Sequence, residues 1–134
     1  MFPRLFEPGR VGSLELPNRI VFAATSSELA DKDGFVGDDL VEYYAERARG
    51  GTGLLVLEAT YVEQEGKRLH HNAMLHDDCF IPGLRKVVEA THAEGVKIAA
   101  AANPSRMCPA PCRWRRRRFR RSSPASVTPS CRRN

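Results

Sequence analysis

The side chains best able to do chemistry occur in four groups. His70, His71 and His76 lie close together and run into the adjacent carboxylates Asp77 and Asp78. Imidazoles beside carboxylates suit metal ligation, substrate binding or proton transfer. No His-Glu-x-x-His frame surrounds them, so nothing sets two imidazoles on one helix face. Loop histidines, with Asp77 and Asp78 in a helix-start or loop role, explain the pattern with less. Cys108-x₃-Cys112 and Cys131 form a second group. Zinc usually takes four spaced ligands, and no histidine lies in that stretch, so incidental thiols are the simpler reading and no metal site is assigned.

The third group is Arg113-Trp114-Arg115-Arg116-Arg117-Arg118-Phe119-Arg120-Arg121. Arginines on phosphates with aromatics stacked on bases would make a nucleic-acid arm. The competing reading is a solvated run that binds polyanions only non-specifically. Gly50-Gly51-Thr52-Gly53, the fourth group, lacks the Lys-Ser/Thr of a phosphate loop and follows a helical pattern instead of opening one, so it reads as a helix stop. Ser26-Ser27, after an apolar run, is by itself ordinary loop chemistry.

The elements that would position these groups alternate regularly. Residues 8–17 place Gly9, Gly12, Pro8 and Pro17 around Val11, Leu14 and Leu16, the pattern of a short hairpin. Arg19 to Ala24 is a continuous apolar run, which predicts a buried strand. Thr25 to Asp33 is small and polar, hence a loop. Asp38 is the expected N-cap of a helix carrying Leu40, Val41, Tyr44, Ala45 and Ala48 at helical spacing. Leu54-Leu55-Val56-Leu57 predicts a second buried strand, and residues 61–79 a long loop. Pro82 suits the first turn of a second helix bearing Leu84, Val87, Val88, Thr91 and His92, with Gly95 after it. Val96 to Ala100 predicts a third strand. Hairpin, strand, helix, strand, helix, strand is the order of parallel βαβ units and an α/β fold.

Charge divides the chain. Residues 1–102 hold 11 basic and all 16 acidic residues, whereas residues 103–134 hold ten Arg, no Lys and no acid. The net charge of +5 therefore comes from the last quarter alone. We read residues 1–102 as the folded body and residues 103–134 as an Arg/Pro-rich, disordered basic tail. At 134 residues the chain is too short for a complete (β/α)₈ barrel, which needs at least ~200. No apolar run approaches the ~18 residues of a membrane span, and the N-terminus has no signal-peptide core. Cys79 stands alone in the body, so a reducing, cytoplasmic setting is expected.

Several ordered motifs resemble the Old Yellow Enzyme family. Asn18-Arg19-Ile20-Val21-Phe22-Ala23-Ala24-Thr25 after a hairpin is similar to its first barrel strand. Asp33-Gly34-Phe35-Val36, with Tyr43-Tyr44-Ala45-Glu46-Arg47-Ala48-Arg49-Gly50-Gly51, is similar to its first helix. Gly53 to Val62 resembles the second strand, and His76-Asp77-Asp78 with Ile81-Pro82-Gly83-Leu84 the lead into the second helix. The likeness covers about residues 4–100 and is nearest the NADH:flavin oxidoreductase and 2,4-dienoyl-CoA reductase branch, including its mycofactocin-associated members.

The resemblance implies the N-terminal portion of an FMN-binding TIM barrel, incomplete in this chain. It further implies NAD(P)H as reductant and an activated C=C bond, in an unsaturated carbonyl or thioester, as hydride acceptor. By the same resemblance Ala23, Ala24 and Thr25 would line the flavin. Ser26 would stand where relatives place a Thr, Cys or His beside its ring, and Ala59 would let the flavin approach the backbone. No residue is matched to a catalytic role. The alternatives kept open are a small nucleic-acid-binding protein using the Arg-rich arm, and a half-barrel completed by association.

The likeness stops after the third strand. There the family continues Gln-Leu-x-His-x-Gly-Arg, whose Gln hydrogen-bonds the flavin pyrimidine edge, but this chain reads Ala101-Ala102-Asn103-Pro104-Ser105-Arg106. Were these six residues encoded GCA-GCT-AAC-CCA-TCC-CGG before the ATG of Met107, with third bases chosen among the synonymous ones, reading one base later would give CAG-CTA-ACC-CAT-CCC-GGA. These encode Gln-Leu-Thr-His-Pro-Gly, so a frameshift near residue 100 is expected.

Overall fold

The computed structural model describes residues 2–63 and 71–103. Strands β1 (Gly9–Val11) and β2 (Leu14–Leu16) form the expected hairpin, with Gly9 opposite Leu16 and Val11 opposite Leu14. The main sheet has the order β3 (Val21–Phe22), β4 (Leu54–Tyr61), β5 (Lys97–Asn103), and both pairings are parallel. Helix α1 (Asp38–Arg49) connects β3 to β4, and α2 (Ile81–Ala93) lies between β4 and β5.

Side chains alternate across a strand, so the register sorts the sheet into two faces. Phe22, Leu55, Leu57 and Ile98 share one face and pack into the core with Leu40, Tyr44 and Ala48 of α1 and Val87 of α2. Leu40, Tyr44 and Ala48 recur every fourth residue, so α1 buries a single stripe. Val21, paired with Leu54, lies on the opposite face, where it is half exposed.

The structure corrects three boundaries. The buried strand expected over 19–24 is short, and Val21, Ala23 and Ala24 are exposed. Among the described residues β3 has a partner on one edge only, and of its two residues Phe22 alone faces the helices. The N-cap is Gly37, extended at φ −91° and ψ 176°, with Asp38 already the first helical residue. Asp38 still sits at the positive end of the helix dipole. Both later strands run further than expected: β4 continues through Glu58 to Tyr61, and β5 pairs with it as far as Asn103.

Two glycines allow close approach. A Cβ on Gly53 would lie 2.5 Å from Asn18 Oδ1, where the chain passes into β4. Gly34, at φ +92°, would clash with the Met74 side chain; its carbonyl accepts the Met74 N–H at 3.0 Å. That contact holds the loop before α1 against the segment after β4.

Candidate functional site

Parallel α/β sheets present their chemistry at the C-terminal ends of the strands. Here that rim consists of residues 23–27 after β3, the end of β4, and residues 71–74, which return to it. Tyr61 N–H donates to Ala73 O at 3.1 Å and Leu75 N–H to Tyr61 O at 2.8 Å.

A β-bulge marks the rim. The β4–β5 register slips between Leu57 and Ala59, leaving Glu58 as the extra residue. A bulge turns a side chain away from strict alternation, and here Leu57 and Glu58 are both buried. The Glu58 N–H, outside the ladder, donates to Tyr44 Oη at 2.7 Å. Its carboxylate is sealed from solvent and accepts three hydrogen bonds. Oε2 takes the Ser27 N–H at 2.7 Å and the Ser27 hydroxyl at 2.6 Å; Oε1 takes the Ala73 N–H at 3.0 Å. A buried carboxylate is tolerated when its acceptors are matched in this way. Glu58 thus fastens both rim loops to β4. Burial pushes the Tyr44 phenol up to about 12, the bond to Glu58 opposing the shift.

Asn72, also fully buried, forms the second node. Its Nδ2 donates to Ser26 Oγ at 3.1 Å and to the Ala59 carbonyl at 3.4 Å. Its Oδ1 is buried with no hydrogen-bond partner. Beyond Ser27 the chain turns through Glu28 at φ 58°, a left-handed conformation uncommon outside glycine. Such conformations persist where the surroundings hold them, and here Ser27 is held on both sides, by Glu58 and by the Leu29 N–H at 3.4 Å from its Oγ.

Of the residues singled out from the sequence, Ala23, Ala24, Thr25 and Ser26 are exposed along one loop, and Ala59 is half-buried on β4. Thr25 Oγ1 turns back to donate to Ala23 O at 3.3 Å. Ser26 and Ala59 are brought together through Asn72. The histidines do not converge: His71 Nδ1 lies 3.1 Å from Ala30 O, the His76 ring packs on Phe80 at 5.0 Å, and His70 is outside the described residues. Asp77 accepts the Cys79 N–H at 2.9 Å, capping the short turn Asp78–Phe80, and that bond holds its carboxyl below the usual value. The Cys108, Cys112 and Cys131 group and the arginine run 113–121 lie outside the described residues. A groove of about 150 Å³ beside α2 is lined by Leu75, Leu84, Val87, Val88 and Ile98 and offers no polar side chain.

Sequence reasoning missed Glu58, Asn72 and Ser27 as a unit. An acid directly after four apolar residues of a strand, with the strand pattern resuming beyond it, was the available signal for Glu58. Nothing local marked Asn72.

Residues 4–110 match the model of the NADH:flavin oxidoreductase / NADH oxidase family. The chain belongs to this family. An NADH oxidase of Thermoanaerobacter brockii is 43% identical over 98 residues, which are 72% of this chain and 15% of the relative. Among solved structures, a 2-naphthoyl-CoA reductase in complex with 2-naphthoyl-CoA aligns with a TM-score of 0.73 at 33% identity, covering 76% of this chain and 16% of that one. The Old Yellow Enzyme of Pichia sp. AKU4542 aligns with a TM-score of 0.68 at 33% identity, covering 72% and 25%. The flavin oxidoreductase fold is therefore present as its opening portion, an α/β piece of a TIM barrel. The chain spans between 15% and 25% of the length of these three relatives. FMN, used with NAD(P)H, is the cofactor of this family. No helix among the described residues is long and apolar enough to cross a membrane.

Proposed function

We propose that the chain is the N-terminal part of an FMN-dependent, NAD(P)H-using oxidoreductase acting on an activated C=C bond in an unsaturated carbonyl or thioester, in a cytoplasmic setting. The carrying observation is the rim itself. Ser26, in the loop after β3, and Ala59, near the C-terminal end of β4, are joined by one buried amide in a chain that matches the flavin family from residue 4 to 110.

The residues present fit such a cofactor. Ala23, Ala24 and Ala59 are small, so a flat ring system can reach the backbone beside them. The rim also holds unspent polar capacity in the orphaned Asn72 Oδ1. Bound FMN would supply the hydride relay from NAD(P)H to the acceptor carbon. The protein's part is to bind and orient. Ala23, Ala24 and Thr25 would line the ring, and the Ser26 hydroxyl would donate a hydrogen bond to it. Glu58 keeps the loop in place from below.

Residues 103–134 we read as the product of a shifted reading frame rather than a nucleic-acid arm. The coding DNA after residue 100 tests this, and a second frame that does not restore the family's Gln-Leu-x-His-x-Gly-Arg would end the idea. Residues 1–134 alone are expected not to turn over. Yellow protein with ene-reductase activity from this chain would contradict that expectation.

A further inference from the structure

We infer that Asn72 is a positioning residue that fixes the hydrogen-bond polarity of Ser26, making its hydroxyl a donor toward whatever occupies the rim. The inference rests on the flavin reading for the identity of that occupant, and on the hydrogen-bond geometry for the rest.

The polarity follows from chemistry. Asn72 lies within hydrogen-bond distance of two oxygens, Ser26 Oγ at 3.1 Å and the Ala59 carbonyl at 3.4 Å. A backbone carbonyl can only accept. The amide end facing it must therefore be the NH₂ group, because a flipped side chain would set two acceptors against each other. The same NH₂ group supplies its second hydrogen to Ser26 Oγ. A serine hydroxyl that accepts from one side has its own hydrogen left to give elsewhere. Ser26 is exposed, whereas Asn72 is fully buried behind it. The hydrogen is thus directed outward, over the end of the sheet.

Asn72 reaches this position by long-range packing. It sits beside Ala73, whose N–H is held by Glu58 Oε1 at 3.0 Å, and beside His71, whose carbonyl accepts the Ala30 N–H at 3.1 Å. Both neighbours are pinned, so the amide has little freedom to turn. A replacement that only fills space would keep the fold and lose the polarity. Asn72→Asp would reverse it, because a carboxylate accepts from Ser26 and draws its hydrogen inward.

The test uses the full chain, with riboflavin as probe because it has the ring system but no phosphate to attract the Arg-rich run. Nitrogen-labelled protein is followed by NMR in wild type, Ser26→Ala, Asn72→Asp and the double variant. The Asn72 side-chain NH₂ protons should exchange at least about tenfold more slowly than those of an exposed asparagine, and Ser26→Ala should reduce that protection. Riboflavin affinity should fall about fivefold in Ser26→Ala and at least as far in Asn72→Asp, with the double variant no weaker than the worse single one. Exchange at the exposed rate, or independent and additive losses of affinity, would overturn the inference. Absence of any riboflavin response in wild type would remove the flavin reading. The exchange data would still decide the role of Asn72.

Discussion

On the helix-covered face, Leu40, Leu55, Leu57 and Val87 are closed to solvent and hold together by apolar contact alone. At the C-terminal rim, Glu58 and Asn72 are closed just as completely, yet each is defined by directional hydrogen bonds. Tyr44 belongs to both regions, its ring in the core and its hydroxyl on the Glu58 N–H. Apolar packing tolerates exchange of shape within limits, whereas a buried acceptor set tolerates none without leaving a donor bare. The first region makes the fold, and the second fixes where a small part of it points.

The contrast can be broken from either side. Leu55→Ala should cost most, about 2–5 kcal/mol in urea unfolding, because the cavity lies at the centre of the core. Glu58→Gln should cost about 1–3 kcal/mol although its shape is kept. One oxygen replaced by NH₂ would face either the Ser27 or the Ala73 N–H. A loss no greater than that of an exposed Glu→Gln change would show that the three bonds contribute nothing.

Tyr44→Phe should cost about 1 kcal/mol, leaving the Glu58 N–H unpaired. The wild-type phenol also gives a pH signature. Its value is raised from 10.0 to about 12, so the unfolded chain loses this proton first. The neutral phenol's contribution is fully present below pH 10.0 and is lost as pH rises through about 12. Stability curves of wild type and Tyr44→Phe should converge across that window.

The smallest effect is expected on the surface. Arg49 pairs with Glu42 at 2.7 Å, with Glu46, and with Glu94 at 3.4 Å, and the first pairing holds the Glu42 carboxyl below its ordinary 4.5. A lowered value gives stability that is present above pH 4.5 and lost as pH falls below it. Arg49→Ala should therefore lower Tm slightly at pH 6, less at pH 3, and hardly at all in high salt.

The helices and the alternation of strand and helix were legible because periodicity is a local signal, although the cap of α1 fell one residue before Asp38. Leu40, Tyr44 and Ala48 announce a helix face wherever they occur. The burial of strands was less legible. Val21 is as apolar as Leu55, but its exposure depends on what lies beside it in space. Ser26 and Ala59 could be singled out only through family resemblance, since alone they are bland. Asn72 was not legible at all, because its partners at positions 26 and 59 are brought to it by the fold. Glu58 left a faint mark as a charge inside a strand, but a bulge cannot be read from composition.

The rim at the strand ends is the surface proposed to take a flavin ring. The most direct measurement is an NMR titration of the nitrogen-labelled 134-residue chain with riboflavin, read residue by residue. Shifts are expected to concentrate at the backbone amides of Ala23, Ala24, Thr25, Ser26 and Ala59, with α1 and the apolar groove beside α2 unmoved. Shifts centred on Leu84 and Val88 in that groove, or no shifts at any riboflavin concentration, would contradict it.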